Sequence, residues 1–192
     1  MHAKSDLPPL IRLGLAHYQF EAIHPFLDGN GRVGRLLISL LLGAWGLMPQ
    51  PLLYLSAYFE AHRQGYYDQL LAVSQRGACN EWLTFFLDGV IVQSRDAVQR
   101  IQRLQDLGER YRQRVQATRA AARMLQVVDL LFANPLITVS TVQSALKVQF
   151  PVAQRYVNQL ISAKVLREIT GRARNRVYRA EEILRVVDAP TA

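Results

Sequence analysis

The chain has 192 residues, half of them hydrophobic, and a formal net charge of +8. That length and composition support a sizeable core in one large or two small domains. A single cysteine, Cys79, excludes an intrachain disulfide and suits a reducing cytoplasm. Residues 1–10 hold Lys4, Asp6, Pro8 and Pro9 without the apolar run of a signal peptide. The most apolar stretch, Leu36–Leu42, is too short to span a bilayer, so no membrane partner is expected.

Charge is spread unevenly. Up to Gly89 the acids slightly outnumber Lys and Arg; beyond it a basic half begins with Arg95, Arg100, Arg103, Arg110, Arg112 and Arg114. This asymmetry suggests two modules with different partners, the second either touching nucleic acid or presenting an arginine-rich solvated face.

In chain order, Ser5-Asp6-Leu7-Pro8-Pro9 reads as a helix start, with prolines in the first turn. Leu10, Leu13, Ala16, Phe20 and Ile23 follow at helical spacing, with His17 on or near the same stripe as a packed core histidine. Pro25 disfavours the helical conformation at His24 and ends the helix there. The stretch from His24 to Arg35 then places an imidazole, a carboxylate, a Gly29-Asn30-Gly31 turn and two arginines within twelve residues. Such a turn, leading into a helix, exposes backbone N–H groups at the positive end of the helix dipole, a ready site for phosphate. Arg32 and Arg35, three apart, project from one side of the first turn and can hold two phosphates. Asp28 stands where Mg²⁺ would bridge carboxylate and phosphate oxygens. His24 is a candidate general base. The constellation predicts metal–nucleotide binding beside a base.

From Gly31 to Trp45 the predicted helix is apolar nearly all round, which makes it the centre of a mainly α domain, capped by Gly46 and stopped by Pro49 and Pro51. Leu52–Leu55 is a connector. A helix from Ser56 to about Gln75 carries Tyr58, Tyr66, Tyr67, Leu70 and Ser74. From about Asn80 a long helical pattern runs to Ala117, with Gly89 and Gly108 as natural bends. Its polar second half, with a thin seam of Val98, Ile101, Leu104, Leu107 and Tyr111, reads as a spacer or as a homodimerisation helix.

The last part has a different pattern. A helix carries Met124, Val127, Val128, Leu131 and Phe132; Ser140–Gln143 fits a capping box before a short helix to Leu146; a third helix runs from Pro151 to Ser162. Two β-like runs, Val165–Ile169 and Arg176–Tyr178, are joined by Gly171–Asn175. Three helices and a β-hairpin resemble a winged helix-turn-helix. Arg155, Asn158 and Gln159 share a face of the would-be recognition helix, and Arg172, Arg174 and Arg176 decorate the wing, for DNA or for a protein contact.

The twelve-residue stretch HPFLDGNGRVGR is similar at every defined position to the HxFx(D/E)GNGRxxR motif of the Fic family. Fic enzymes mostly transfer AMP from ATP to a hydroxyl of a target protein, and a winged helix-turn-helix is often attached to them. The resemblance implies a Fic-type catalytic core over residues 1–118 and a winged module over 119–192. It implies a protein adenylyltransferase that uses ATP and Mg²⁺ to modify a Ser, Thr or Tyr of an unidentified target. His24 would be the base and Asp28 the Mg²⁺ ligand. Gly29, Asn30 and Gly31 would cradle phosphate, Arg32 would neutralise it, and Arg35 would reach the γ-phosphate. Phe26 would anchor the loop, and Tyr66, Tyr67, Leu70 and Ser74 would lie near the base; the same residues also fit an aromatic stripe packed into the core. The motif leaves two alternatives: transfer of another nucleotide, and a DNA-binding regulator whose Fic core only senses nucleotide. Gly31 stands where the kinase-like branch of the family carries a Lys. The family's inhibitory motif, (S/T)xxxE(G/N), has no match here, and few residues precede His24. The expectation is that the inhibitory helix and the target-clamping flap are absent from this chain, leaving Arg35 free for nucleotide.

Overall fold

The computed structural model describes residues 6–116 and 121–189. Contacts divide the chain into two units, with the division between Val98 and Gln99. The boundary expected at 118/119 lies outside the described residues.

The first unit is wholly helical among its described residues. Helix α1 spans Pro9–Ile23, α2 Asn30–Ala44, α3 Leu55–Ala61 and α4 Arg63–Arg76, followed by the first part of α5, Cys79–Gln116. As the apolar pattern requires, α2 buries Ile38, Leu41 and Leu42, and Gly46 beyond it takes the left-handed conformation (φ 68°) of a helix stop. These side chains pack with Leu13, Phe59, Trp82 and Phe86 into one core. The helix expected from Ser56 to Gln75 is divided at His62. Both the backbone N–H of His62 and its ring Nδ1 converge on the Tyr58 carbonyl, at 3.0 and 2.9 Å, so the side chain stabilises a local kink. Helix α5 runs unbroken through Gly89. The glycine lets Tyr58 lie on the helix, since a Cβ there would come within 2.6 Å of the Tyr58 ring.

The second unit takes the rest of α5, then α6 Ala121–Ala133, β1 Leu136–Thr138, α7 Val139–Leu146, α8 Phe150–Ser162, β2 Arg167–Glu168, β3 Val177–Arg179 and α9 Glu181–Asp188. The strands form an antiparallel sheet in the order β1-β3-β2, with Tyr178 of β3 opposite Ile137 on one side and Glu168 on the other. Leu107, Tyr111 and Val115 of α5 are fully buried in this unit's core with Met124, Val128 and Leu131. The second part of α5 is therefore core, not the spacer its polar composition suggested. Strand β1 and helix α9 went unpredicted; β1 has only three residues, too few for a period-2 signal. The capping box also lies two residues earlier than expected. Thr138 is the cap, its Oγ1 accepting from the Thr141 N–H at 3.1 Å, while Thr141 Oγ1 accepts from the Thr138 N–H at 3.2 Å.

Candidate active site

The loop between α1 and α2 is held from both ends. Helix α1 stops at His24, whose φ of 49° is left-handed and whose N–H still donates to the Phe20 carbonyl at 3.1 Å. Gly29, at φ 81°, caps α2 in a conformation that a side chain would strain. Between them Asn30, only 2 % exposed, clasps the backbone of Phe26: its Oδ1 accepts from the Phe26 N–H at 2.9 Å, and its Nδ2 donates to the Phe26 carbonyl at 2.6 Å. The side chain of Asn30 thus orders the loop, and its part in an anion cradle falls to the backbone. The anchor role expected of Phe26 passes to Asn30. The Phe26 ring is half-exposed and lies 6.3 Å from the Phe20 ring.

The ladder of α2 begins with the Val33 N–H on the Gly29 carbonyl at 3.0 Å. The N–H groups of Asn30, Gly31 and Arg32 therefore stand at the open end of the helix, where the macrodipole favours an anion. Two cations flank them. Arg32 pairs with Asp28 at 3.3 Å on the surface, and the Arg35 guanidinium folds over Gly31, where a Cβ would meet Nη1 at 3.1 Å. His24 and Asp28 are both exposed. Among the described residues no group of three or more His, Cys, Asp or Glu side chains gathers to hold a metal.

Beneath the loop lies a buried polar layer whose partners are not apparent from the motif. Gly34 lets α1 and α2 approach: a Cβ there would overlap Glu21 Oε1 and crowd the Phe20 ring at 3.0 Å. The Gly34 carbonyl accepts from His17 Nδ1 at 3.1 Å, and His17 Nε2 lies 2.9 Å from the Tyr66 hydroxyl. Burial lowers the His17 pKa to about 4, so the ring is neutral; with its proton on Nδ1, Nε2 accepts from Tyr66. Tyr66 also neighbours the Glu21 carboxyl, and its own pKa is raised, chiefly by burial. Burial likewise raises the pKa of Glu21, opposed by the charges of Arg35 and His24, and its buried Oε1 has no hydrogen-bond partner among the described residues. Glu21 is the residue that motif reading missed; a lone acid on an otherwise mixed helix gives no sequence signal.

This layer revises the expectation for Tyr66. The ring is 4 % exposed, stacked on Phe59 at 4.7 Å and bonded to His17, and so is core rather than a platform for a base. Its neighbour Tyr67 is half-exposed, with the Arg63 guanidinium 5.9 Å from its ring centre. Leu70 packs at the edge of the core, and Ser74 Oγ donates to the Leu70 carbonyl and lies 3.1 Å from the Tyr18 hydroxyl. A groove of about 330 Å³ opens beside the motif, lined by Arg32, Arg35, Leu36, Ser39, Tyr54 and Ser56 among others. Tyr67, Leu70 and Ser74 are not among its lining residues. Its lining is completed instead by Leu53 and Tyr54 of the connector and by Leu55 and Ser56 at the start of α3.

In the second unit, Arg155 and Asn158 are exposed on α8, whereas Gln159 turns inward and its Oε1 is buried without a partner among the described residues. Phe150 is likewise exposed on α8, and Gln154 is half-buried. A groove of about 680 Å³ joins Phe150 and Gln154 to Arg174 and Arg176 of the wing.

Fold and loop define two classes of element, a phosphate-type turn on a helical core and a winged helix-turn-helix. Residues 1–42 match the model of the Fic/DOC family, and residues 124–183 match an HTH DNA binding domain. The chain is 38% identical over 80 residues to a protein adenylyltransferase Fic of Aedes aegypti, a stretch that covers 42% of this chain and 15% of that protein. It is 33% identical over 84 residues to the Drosophila willistoni protein of the same name, covering 44% and 16%. A crystal structure of a Fic family protein from Desulfovibrio desulfuricans is 24% identical and covers 92% of this chain and 50% of that one, with a TM-score of 0.47. The matched stretch thus spans about 15% of the length of these curated relatives. No helix among the described residues is long and apolar enough to cross a membrane.

Proposed function

We propose that the first unit is a nucleotidyltransferase that moves AMP from ATP to a Ser, Thr or Tyr hydroxyl of a target protein, and that the second unit binds DNA. The observation that carries the first part is the loop itself. Three helix-start N–H groups with no partner among the described residues, fixed by Gly29 and by the Asn30 clasp, are flanked by two arginines, and an exposed imidazole sits at the adjoining helix end. Phosphate fits the amides and guanidiniums by charge and geometry. In the reaction the acceptor oxygen attacks the α-phosphorus, the bond from that phosphorus to the bridging oxygen breaks, and pyrophosphate leaves. His24 takes the hydroxyl proton. Arg32 and the first-turn amides of α2 hold the charge that builds on the phosphoryl oxygens, and Arg35 orients the terminal phosphate.

The donor set fits Mg²⁺ that arrives with the nucleotide. Such an ion keeps several waters and needs only one or two carboxylates besides phosphate oxygens, and Asp28 offers one exposed carboxylate. When bound, Mg²⁺ supplies charge neutralisation to the phosphates, and Asp28 is the residue that would hold it. A reducing cytoplasm is the compartment this reading supposes.

Incubation with Mg²⁺ and isotope-labelled ATP, followed by mass spectrometry of the chain and of candidate acceptor proteins, tests the proposal. His24→Ala should lower transfer by about 10²–10⁴-fold while nucleotide binding persists. Equal adduct levels in wild type and variant would remove His24 from its role. Protection against thermal unfolding by another nucleotide, and not by ATP, would change the donor.

The DNA-binding part is supported by charge as well as by the family match over residues 124–183. From Gln99 on, sixteen Lys and Arg stand against seven Asp and Glu, whereas up to Val98 seven stand against eight. Binding through phosphates makes affinity fall steeply with salt. Fluorescence anisotropy with a duplex at low and moderate salt checks this; a duplex that fails to bind at low salt leaves the wing to protein contacts.

A further inference from the structure

At the end of the β2–β3 hairpin away from the wing, the second unit gathers like charges. Arg167 of β2 stands directly opposite Arg179 of β3, and like charges that face each other across strands destabilise a sheet. One carboxylate answers both of them and a third arginine as well. Glu181 takes Arg179 at 2.7 Å, Arg167 at 3.4 Å and Arg185 at 3.5 Å. The next acid, Glu182, is held by both terminal nitrogens of Arg114, at 2.6 and 3.4 Å. Lys164 has no carboxylate partner among the described residues. Around a cavity of about 340 Å³, Lys164, Arg167, Arg179 and Arg185 therefore share the single charge of Glu181. Arg155 on α8 and Arg172 and Arg174 in the wing also lack a carboxylate partner among the described residues, but they do not line this cavity.

A second observation points to a ligand rather than to an ion-pair network alone. Arg179 lines the cavity, yet its Nε is buried with no hydrogen-bond partner among the described residues. A buried donor left unmatched is costly. Glu181 meets Arg179 through Nη2 only. An oxyanion that took Arg179 side-on, through Nε and Nη2, would supply the missing acceptor and the missing negative charge together. Because Glu181 already competes for the same guanidiniums, the ligand must bring more than one charge, as a phosphate monoester does above pH 7. The lining also has an apolar wall. Ile161 is 37 % exposed and stands outside the unit's core. The cavity shares no residue with the groove that joins Phe150 and Gln154 to the wing, so it is separate from the surface proposed for DNA.

We infer that this cavity binds a small organic phosphate, with the phosphoryl group on Arg167, Arg179, Arg185 and Lys164 and the organic part on Ile161. Glu181 acts there as a built-in competitor that the dianion displaces. The inference stands apart from both parts of the proposed function, since it uses neither the turn of the first unit nor the wing of the second.

The test is titration of the isotope-labelled whole chain with phenyl phosphate and with inorganic phosphate, followed by amide NMR at constant ionic strength. Resonances of residues 164–167 and 179–182 should shift and saturate, apart from those of residues 29–35, which report the turn of the first unit. Arg167→Ala and Arg185→Ala should each weaken this binding about fivefold, the upper range for an exposed charge pair. Their side chains are 73 % and 76 % exposed, so the core does not depend on them. Glu181→Gln should tighten binding, and Ile161→Ser should remove the advantage of phenyl over inorganic phosphate. Shifts that never saturate, or that sodium chloride alone reproduces, overturn the inference in the wild-type chain and leave an ion-pair network. Tight binding that Glu181→Gln weakens overturns the competition. Displacement of phenyl phosphate from these residues by a short duplex overturns the small ligand and gives the cavity to nucleic-acid phosphate.

Discussion

The two units solve opposite problems with the same kind of side chain. In the first, polar groups are drawn inward: His17, Tyr66 and Glu21 lie beneath the motif and hold α1, α2 and α4 together, while the residues that would meet substrate stay in water. In the second, the core of Leu107, Met124, Val128 and Leu131 is apolar, the buried Gln159 Oε1 and Tyr111 hydroxyl have no partner among the described residues, and the carboxylates act toward the arginines, either pairing with them at Glu181 and Glu182 or leaving them unbalanced at α8 and the wing. The contrast shows what each kind of site demands. A loop that must present N–H groups at fixed positions needs a rigid polar support, because hydrogen bonds impose angles that apolar packing does not. A surface that meets a polyanion needs charge without a buried network.

The largest expected effect that separates the units is on pH. The His17 pKa is about 4 in the folded state against about 6.5 unfolded. Its contribution is therefore fully present above pH 6.5 and is lost as pH falls toward 4, because the unfolded chain takes up the proton first. The first unit should lose about 3 kcal/mol over that window. Both tryptophans of the chain, Trp45 and Trp82, lie in the first unit, so urea unfolding followed by tryptophan fluorescence reports it separately. A flat profile between pH 6.5 and 4.5, or one that His17→Gln leaves unchanged, would break the comparison.

Next in size is the clasp. Asn30→Ala strands the N–H and the carbonyl of Phe26 and should cost about 1–3 kcal/mol in the first unit, with weakened ATP binding in titration calorimetry. If stability falls but ATP affinity holds, loop order and anion binding are separate matters. Arg35→Ala should weaken ATP binding by one to two decades, the value of a charge-assisted contact of about 1.5–3 kcal/mol, without moving the tryptophan-detected midpoint. Smallest is Thr138→Ala in the second unit. Loss of its capping box should cost about 1 kcal/mol, visible in far-UV circular dichroism and absent from tryptophan fluorescence.

Much of this was legible in order along the chain. Pro9, Pro25, Gly46 and Pro151 punctuate helices through backbone sterics that act locally, so α1, α2, α6 and α8 were readable to within a residue or two. The loop was readable for the same reason, since Gly29 and Gly31 leave the backbone open to an anion and Arg32 and Arg35 lie one helical step apart. Harder to read were features with no local signature. The division of one tyrosine pair into core and surface, the inward turn of Gln159, and the change of α5 from an exposed seam to buried core at Leu107, Tyr111 and Val115 all follow from what packs against each helix.

The sequence by itself determined the mainly helical character of both units, the phosphate-type turn with His24 at its edge, and the excess of positive charge after Gln99. Those are consequences of residue type and short spacing, which hold whatever the rest of the chain does. Tertiary structure alone decided that Asn30 spends its side chain on Phe26, that Tyr66 serves His17, that Glu21 comes to lie at Gly34, and that Glu181 gathers three arginines while the wing keeps its charge. Each of these joins residues separated by a turn, a helix or more. Such pairings depend on which faces are buried together, and burial is a property of the assembled core that no stretch of sequence carries alone.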